Sequence, residues 1–152
     1  MIKKRKKIII WLLPISIAIA IFYFSSQPSD ESSQLSNGVI KIILDFINRM
    51  NPNIDMDHWM KMLSLPIRKL AHMTEYAVFF ITLFIAFSVN EIKNWRRPIW
   101  SMVIVFLYAC TDEFHQTFVP GRYGCFTDVL IDCTIAGVFT ILSMMRWSKN
   151  DS

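Results

Sequence analysis

The chain offers little covalent or metal-binding framework. Its 152 residues include three cysteines, Cys110, Cys125 and Cys133, an odd number without paired spacing, so no disulfide framework and no Cys-x-x-Cys motif organises it. Cys110 and Cys133 fall inside apolar runs, where a small apolar residue is the simpler reading than metal or redox work. A His-x-x-x-His pair is also lacking, which removes the commonest helical metal motif. No internal repeat is visible, and this weakens any transporter built from duplicated halves. Charged residues make up only 18% of the chain. Hydrophobic residues make up 53%, and mean hydropathy is +0.37. This composition implies an all-α, polytopic membrane protein forming a single domain.

Four stretches approach the roughly 20 apolar residues that cross about 30 Å of hydrocarbon. They are residues 8–24, 67–89, 98–118 and 126–146, and residues 25–66 form the one long connection. The first stretch competes with a cleaved signal peptide, because Ala18-Ile19-Ala20 has a small-x-small form. The apolar run continues through Phe24 beyond that point, and this favours a span.

Charge sets the expected orientation. With the N-terminus inside, the inner side holds Lys3, Lys4, Arg5, Lys6, Lys7, Lys93, Arg96, Arg97, Arg146 and Lys149, against only Glu91 and Asp151. The other acidic residues and all three histidines fall outside. Basic residues beside the spans favour both termini in the cytoplasm. The net charge of +4 therefore requires no nucleic acid, since it sits where anionic inner-leaflet lipid would be.

Within the outer connection, residues 35–50 place Val39, Ile43, Phe46, Ile47 and Met50 at helical spacing, with Lys41, Asp45, Asn48 and Arg49 elsewhere around the turn. This predicts an amphipathic helix on the outer face of the membrane or across the bundle mouth; a solvated loop packed on the bundle is the competing reading. Residues 56–65, with Trp59, Met60, Met62 and Leu63, form a shorter interfacial piece, and Pro66 is expected to open the second span. Tyr23 and its aromatic neighbours read as an interfacial belt, Trp95 and Trp100 as anchors at the inner turn. Ser25, Ser26 and Gln27 could cap the helix end or point donors into an outer-face site, and capping is the simpler reading.

Polar groups then recur at depths where they are costly and mark function. Arg68, His72, Glu75 and Tyr76 share one helix face at three- and four-residue steps. Asp112, Glu113, His115 and Gln116 stand on the outer end of the third span. Pro120-Gly121 predicts a tight turn delivering Arg122 to the rim. Asp128 and Asp132 share a face of the fourth span, followed by Ala136 and Gly137, a small-residue patch suited to close helix approach.

These groups support three readings. Carboxylates with two histidines could bind a divalent cation, while arginines with a histidine could hold phosphate or carboxylate. An intramembrane enzyme would use His72 or His115 as acid or base, oriented by Glu75, Asp112, Glu113 or Asp132, with the arginines stabilising a phosphate on a lipid-linked substrate. A pure scaffold would use the same groups to tie helices together.

Ser25-Ser26-Gln27-Pro28, Arg68-Lys69-x-x-His72-x-x-Glu75-Tyr76 and Asp112-Glu113-x-His115-Gln116-x-x-Val119-Pro120-Gly121-Arg122, with Asp128 and Asp132 after them, resemble the VanZ-like family. The match spans all four apolar stretches. The resemblance implies a small bacterial membrane protein connected with low-level resistance to the glycopeptide teicoplanin. Its polar residues would then meet membrane lipid, a lipid-linked precursor or the lipidated drug.

Overall fold

The computed structural model describes residues 2–52 and 54–150, and the described residues are helical apart from short connections. In chain order the helices are α1 (Ile2–Ile9), α2 (Leu12–Ser25), α3 (Ser29–Met50), α4 (Met56–Val89), α5 (Arg96–Gln116), α6 (Phe126–Asp132) and α7 (Thr134–Asn150).

Helices α1 and α2 are nearly one rod. Pro14 cannot donate to the Ile10 carbonyl, which takes the Leu13 N–H at 3.2 Å instead, so the break falls there. The stretch Lys4–Ser25 is long and apolar enough to cross a membrane, as is α4. The pair α6 and α7, bent by 47°, makes a third such span if it is one. Helix α5 is 21 residues long, but Arg96, Arg97, Asp112 and Glu113 keep it outside that class by composition. Length and hydropathy thus support two spans, or three with the bent pair, against the four expected.

Helix α4 is the hub, touching α2, α3, α5, α6 and α7. Tyr76, Phe79, Phe80, Leu83 and Ala86 are buried along it at helical spacing, and Ile21, Val105, Ala109, Val129, Cys133 and Ala136 complete the core. Tyr108 ties α5 to α2 by donating its hydroxyl to the Ala18 carbonyl at 2.6 Å. Around this core the outside is apolar: Ile8, Leu12, Ile19, Ile42, Phe114, Leu107, Leu130 and Ile141 are all exposed. Such a surface suits lipid rather than water.

Three departures from the sequence expectations shape the site. First, α4 begins at Met56, so Pro66 lies inside a helix of 34 residues instead of opening it. Asp55 caps the helix by accepting the His58 N–H at 3.0 Å, which commits residues 56–65 to α4. Second, the fourth stretch breaks at Cys133 with no proline or glycine at the bend. There the Thr134 hydroxyl donates to the Leu130 carbonyl at 3.0 Å, a back-bond of the kind that bends helices. Third, the small-residue patch works at one of its two residues. Ala136 is fully buried, whereas a Cβ on Gly137 would meet nothing within 4 Å.

Helix α3 is longer than the pattern implied and turns a different face inward. It packs on α4 through Ser36, Ile40 and Leu44, leaving Val39, Ile43, Phe46, Ile47 and Met50 exposed.

Candidate functional site

The end of the bundle formed by the C-termini of α2 and α5, the start of α3 and the start of α6 is polar, and α4 runs through it. Its base is a hydrogen-bonded chain across three helices. Tyr76 of α4 donates its hydroxyl to Asp112 Oδ2 of α5 at 3.1 Å, and Gln116 Nε2 donates to that same oxygen at 3.2 Å. Gln116 Nε2 also donates to Ser25 Oγ of α2 at 2.9 Å. All four side chains are buried. Ser25 therefore serves the site instead of capping its helix, while Ser26 and Gln27 bond back to the Phe22 and Tyr23 carbonyls at the helix end.

The turn after α5 closes this end. Arg122 N–H reaches the Val119 carbonyl at 3.1 Å across Pro120-Gly121, with Gly121 at a φ of 75°, the geometry glycine supplies without strain. The turn is fastened to α3 by the Ser29 N–H, which donates to the Pro120 carbonyl at 3.2 Å. Arg122 is thereby laid over the end of α2: Nε donates to the Gln27 carbonyl at 2.9 Å and Nη2 to the Phe24 carbonyl at 3.1 Å. Cationic donors on helix C-terminal carbonyls are favourable both as hydrogen bonds and against the helix dipole. Burial lowers the Arg122 pKa most and Arg68 lowers it further, while Asp112, Glu113 and Glu75 raise it. The two guanidiniums thus lie within each other's field. Replacing Arg122 by Ala should cost about 2 kcal/mol, the loss of charge-assisted bonds. Amide exchange over residues 24–29 should quicken roughly thirtyfold by mass spectrometry, and unchanged exchange would contradict the clamp.

Glu113 is likewise committed, its Oε1 accepting the Cys125 N–H at 2.7 Å. Asp128 pairs with Lys69 at 2.6 Å. Lys69 was not foreseen as a partner, although it follows Arg68 directly and one helical turn is enough to reach α6.

Four residues keep unused capacity. Arg68 makes only a long bond, 3.4 Å, from Nη1 to Ser29 Oγ, and among the described residues no carboxylate lies at ion-pairing distance. His72 Nδ1 stands 3.6 Å from Glu75 Oε2, and both atoms are buried without a hydrogen bond. Asp132 is buried, and its side chain has no hydrogen bond or ion pair among the described residues. Arg68, His72 and Asp132 face a cavity of about 50 Å³, whose walls also include Glu113, Gln116 and Arg122. Room of that size holds a few waters or one compact polar group.

Nine of the ten sequence candidates therefore gather at this end: Arg68, His72, Glu113, Gln116, Arg122, Asp128 and Asp132 on the cavity, Asp112 in the tie with Gln116, and Glu75 beside His72. His115 stands apart, its ring 4.6 Å from that of Phe22 and its buried Nδ1 without a partner. Among the described residues, no group of three or more His, Cys, Asp and Glu is placed to hold a metal ion. Lys69 and Ser29 are contributors that the sequence reading left out of the site; Ser25 and Tyr76 stand in its motifs, Tyr76 on the face shared with His72, but not in its ligand-binding set.

A helical bundle with an apolar exterior, membrane-spanning helices and a charged cavity sunk into one end is the class that this fold and site define. The family model described as VanZ/LLP1 matches residues 10–147, nearly the whole chain. The protein belongs to that family. No curated protein and no solved structure matches it.

Proposed function

We propose that this protein lowers sensitivity to the glycopeptide teicoplanin through its polar end. There it would bind a lipid head group, a lipid-linked cell-wall precursor or the lipidated antibiotic. The observation that carries this reading is the uncommitted set of Arg68, His72 and Asp132 around one cavity. Helix packing already has its ties in Tyr76, Asp112, Gln116 and Ser25, so scaffolding does not account for the rest.

Depth supports the same reading. If Val89 marks the boundary beside the basic turn, about 20 residues of α4 fill the hydrocarbon and end near Leu70. Arg68 then stands at head-group level, with Glu75 roughly 7 Å below the boundary. In this arrangement α5 is the remaining span, carried by its partners, and the exposed stripe of α3 lies on the outer membrane surface. The basic termini face the cytoplasm and the cavity faces outward.

Deleting the protein should raise teicoplanin susceptibility severalfold and change vancomycin susceptibility much less, because only the former drug carries an acyl chain. Arg68→Gln should reproduce the deletion while immunoblots show normal abundance. Equal shifts for both drugs would overturn the proposal.

A further inference from the structure

The polar cavity does not stand alone. It shares Arg68 and His72 with a groove of about 360 Å³ between α3 and α4, whose walls are mainly apolar and include Leu35, Val39, Leu70 and Ala71. That groove in turn shares Phe24, Thr74 and Glu75 with a narrower one of about 160 Å³ between α2 and α4, walled by Ile17, Ala20, Ile21 and Val78. These shared walls set the apolar slot, Glu75, the guanidinium of Arg68 and the polar cavity side by side along α4. Small side chains make the room, Ala20 on α2 and Ala71 and Thr74 on α4.

Size decides what fits. The lower slot is close in volume to an engineered apolar cavity of about 150 Å³ that takes one benzene, which is room for one hydrocarbon chain rather than several. The cavity of about 50 Å³ has no room for a sugar or peptide head. Charge points the same way: Arg68 stands at the junction with four N–H donors unused, since its one bond goes to Ser29 Oγ. A guanidinium in that state suits a phosphate or similar oxyanion.

We propose that the groove along α4 seats one hydrocarbon chain of a membrane amphiphile whose compact anionic group, a phosphate or its equivalent, is held by Arg68 beside His72. This inference rests on the head-group reading of the site and narrows it. The chain enters sideways from the lipid, between α2 and α4 under α3, and any larger head remains outside the cavity mouth.

The test uses the full-length protein in nanodiscs of neutral phosphatidylcholine, following its thermal unfolding with four probes: dodecyl phosphate, dodecanol, inorganic phosphate and two-chained phosphatidic acid. Dodecyl phosphate should stabilise saturably, at concentrations at least tenfold below those needed for each of the other three. Ala20→Phe and Ala71→Phe, which fill the two parts of the groove from partly open positions, should each remove that advantage. Arg68→Gln should reduce dodecyl phosphate to the level of dodecanol. If both Phe variants bind dodecyl phosphate normally, the groove assignment falls while the head-group site stands. If Arg68→Gln changes nothing while the Phe variants abolish binding, the head-group reading falls. Equal stabilisation by phosphatidic acid would overturn the single-chain claim, and no response to any probe would overturn both.

Discussion

Replacing Asp112 by Ala is expected to destabilise the protein by about 3 kcal/mol, near the lower bound for breaking a buried polar pair by removing one partner. One carboxylate oxygen accepts from both Tyr76 and Gln116. Its removal leaves the Tyr76 phenol without a partner and the Gln116 amide with only its bond to Ser25, and a buried group without a partner costs about 1–3 kcal/mol. The melting temperature should fall by roughly 6–12 °C for a chain of this size. Asp112→Asn separates hydrogen bonding from charge, because a single amide oxygen can accept both bonds. It should melt within a few degrees of the parent. If the Ala and Asn variants melt together, the tie across α2, α4 and α5 is not what Asp112 contributes.

The second large effect is at Gly124. A Cβ there would lie 2.6 Å from the Glu113 carbonyl oxygen and 2.5 Å from Thr117 Cγ2, so the strand of chain between the turn and α6 would have to lift off α5. Overpacking of this kind costs about 1–3 kcal/mol. The shift would also pull the Cys125 N–H from Glu113, worth roughly a further 1.5 kcal/mol. Gly124→Ala should therefore lower the melting temperature by several degrees. At Gly38, inside α3, an added Cβ meets nothing within 4 Å, and Gly38→Ala should stabilise by up to about 1 kcal/mol through helix propensity. Opposite signs at the two positions check the packing at the turn; equal signs would contradict it.

How far the sequence foretold this site can be read from individual residues. The four-residue step from Asp112 to Gln116 is a real hydrogen bond, and Pro120-Gly121 is a real turn, because both depend on local spacing and backbone preference. The helical character of the chain was legible for the same reason. Features set by competition between elements were not. Pro66 looked like a helix start, but Asp55 offers an earlier cap, and the helix runs through the proline despite its missing N–H. The bend at Cys133 has no breaker residue; it goes with a threonine hydroxyl bonding back along the helix, an option that hydropathy does not register. Helix α3 carries apolar residues on two faces, and only the shape of α4 decides which one is buried. Arg122 was legible as a cation at the rim, but its use on backbone carbonyls depends on where α2 ends in space. That use leaves Arg68, with one long bond to Ser29, as the less committed of the two guanidiniums.

Helix α4 has one more consequence. Its 34 residues amount to about 51 Å of helix, well beyond the roughly 30 Å of bilayer hydrocarbon. On the proposed placement only residues 70–89 fill the hydrocarbon and the charged first turns of the helix reach beyond it, and a bilayer of another thickness is accommodated at a fraction of a kcal/mol per Å of mismatch. On that placement a thinner bilayer would leave Arg68 clear of the head groups and a thicker one would draw it down among them, so growth conditions that remodel acyl chains would retune the site without altering a residue.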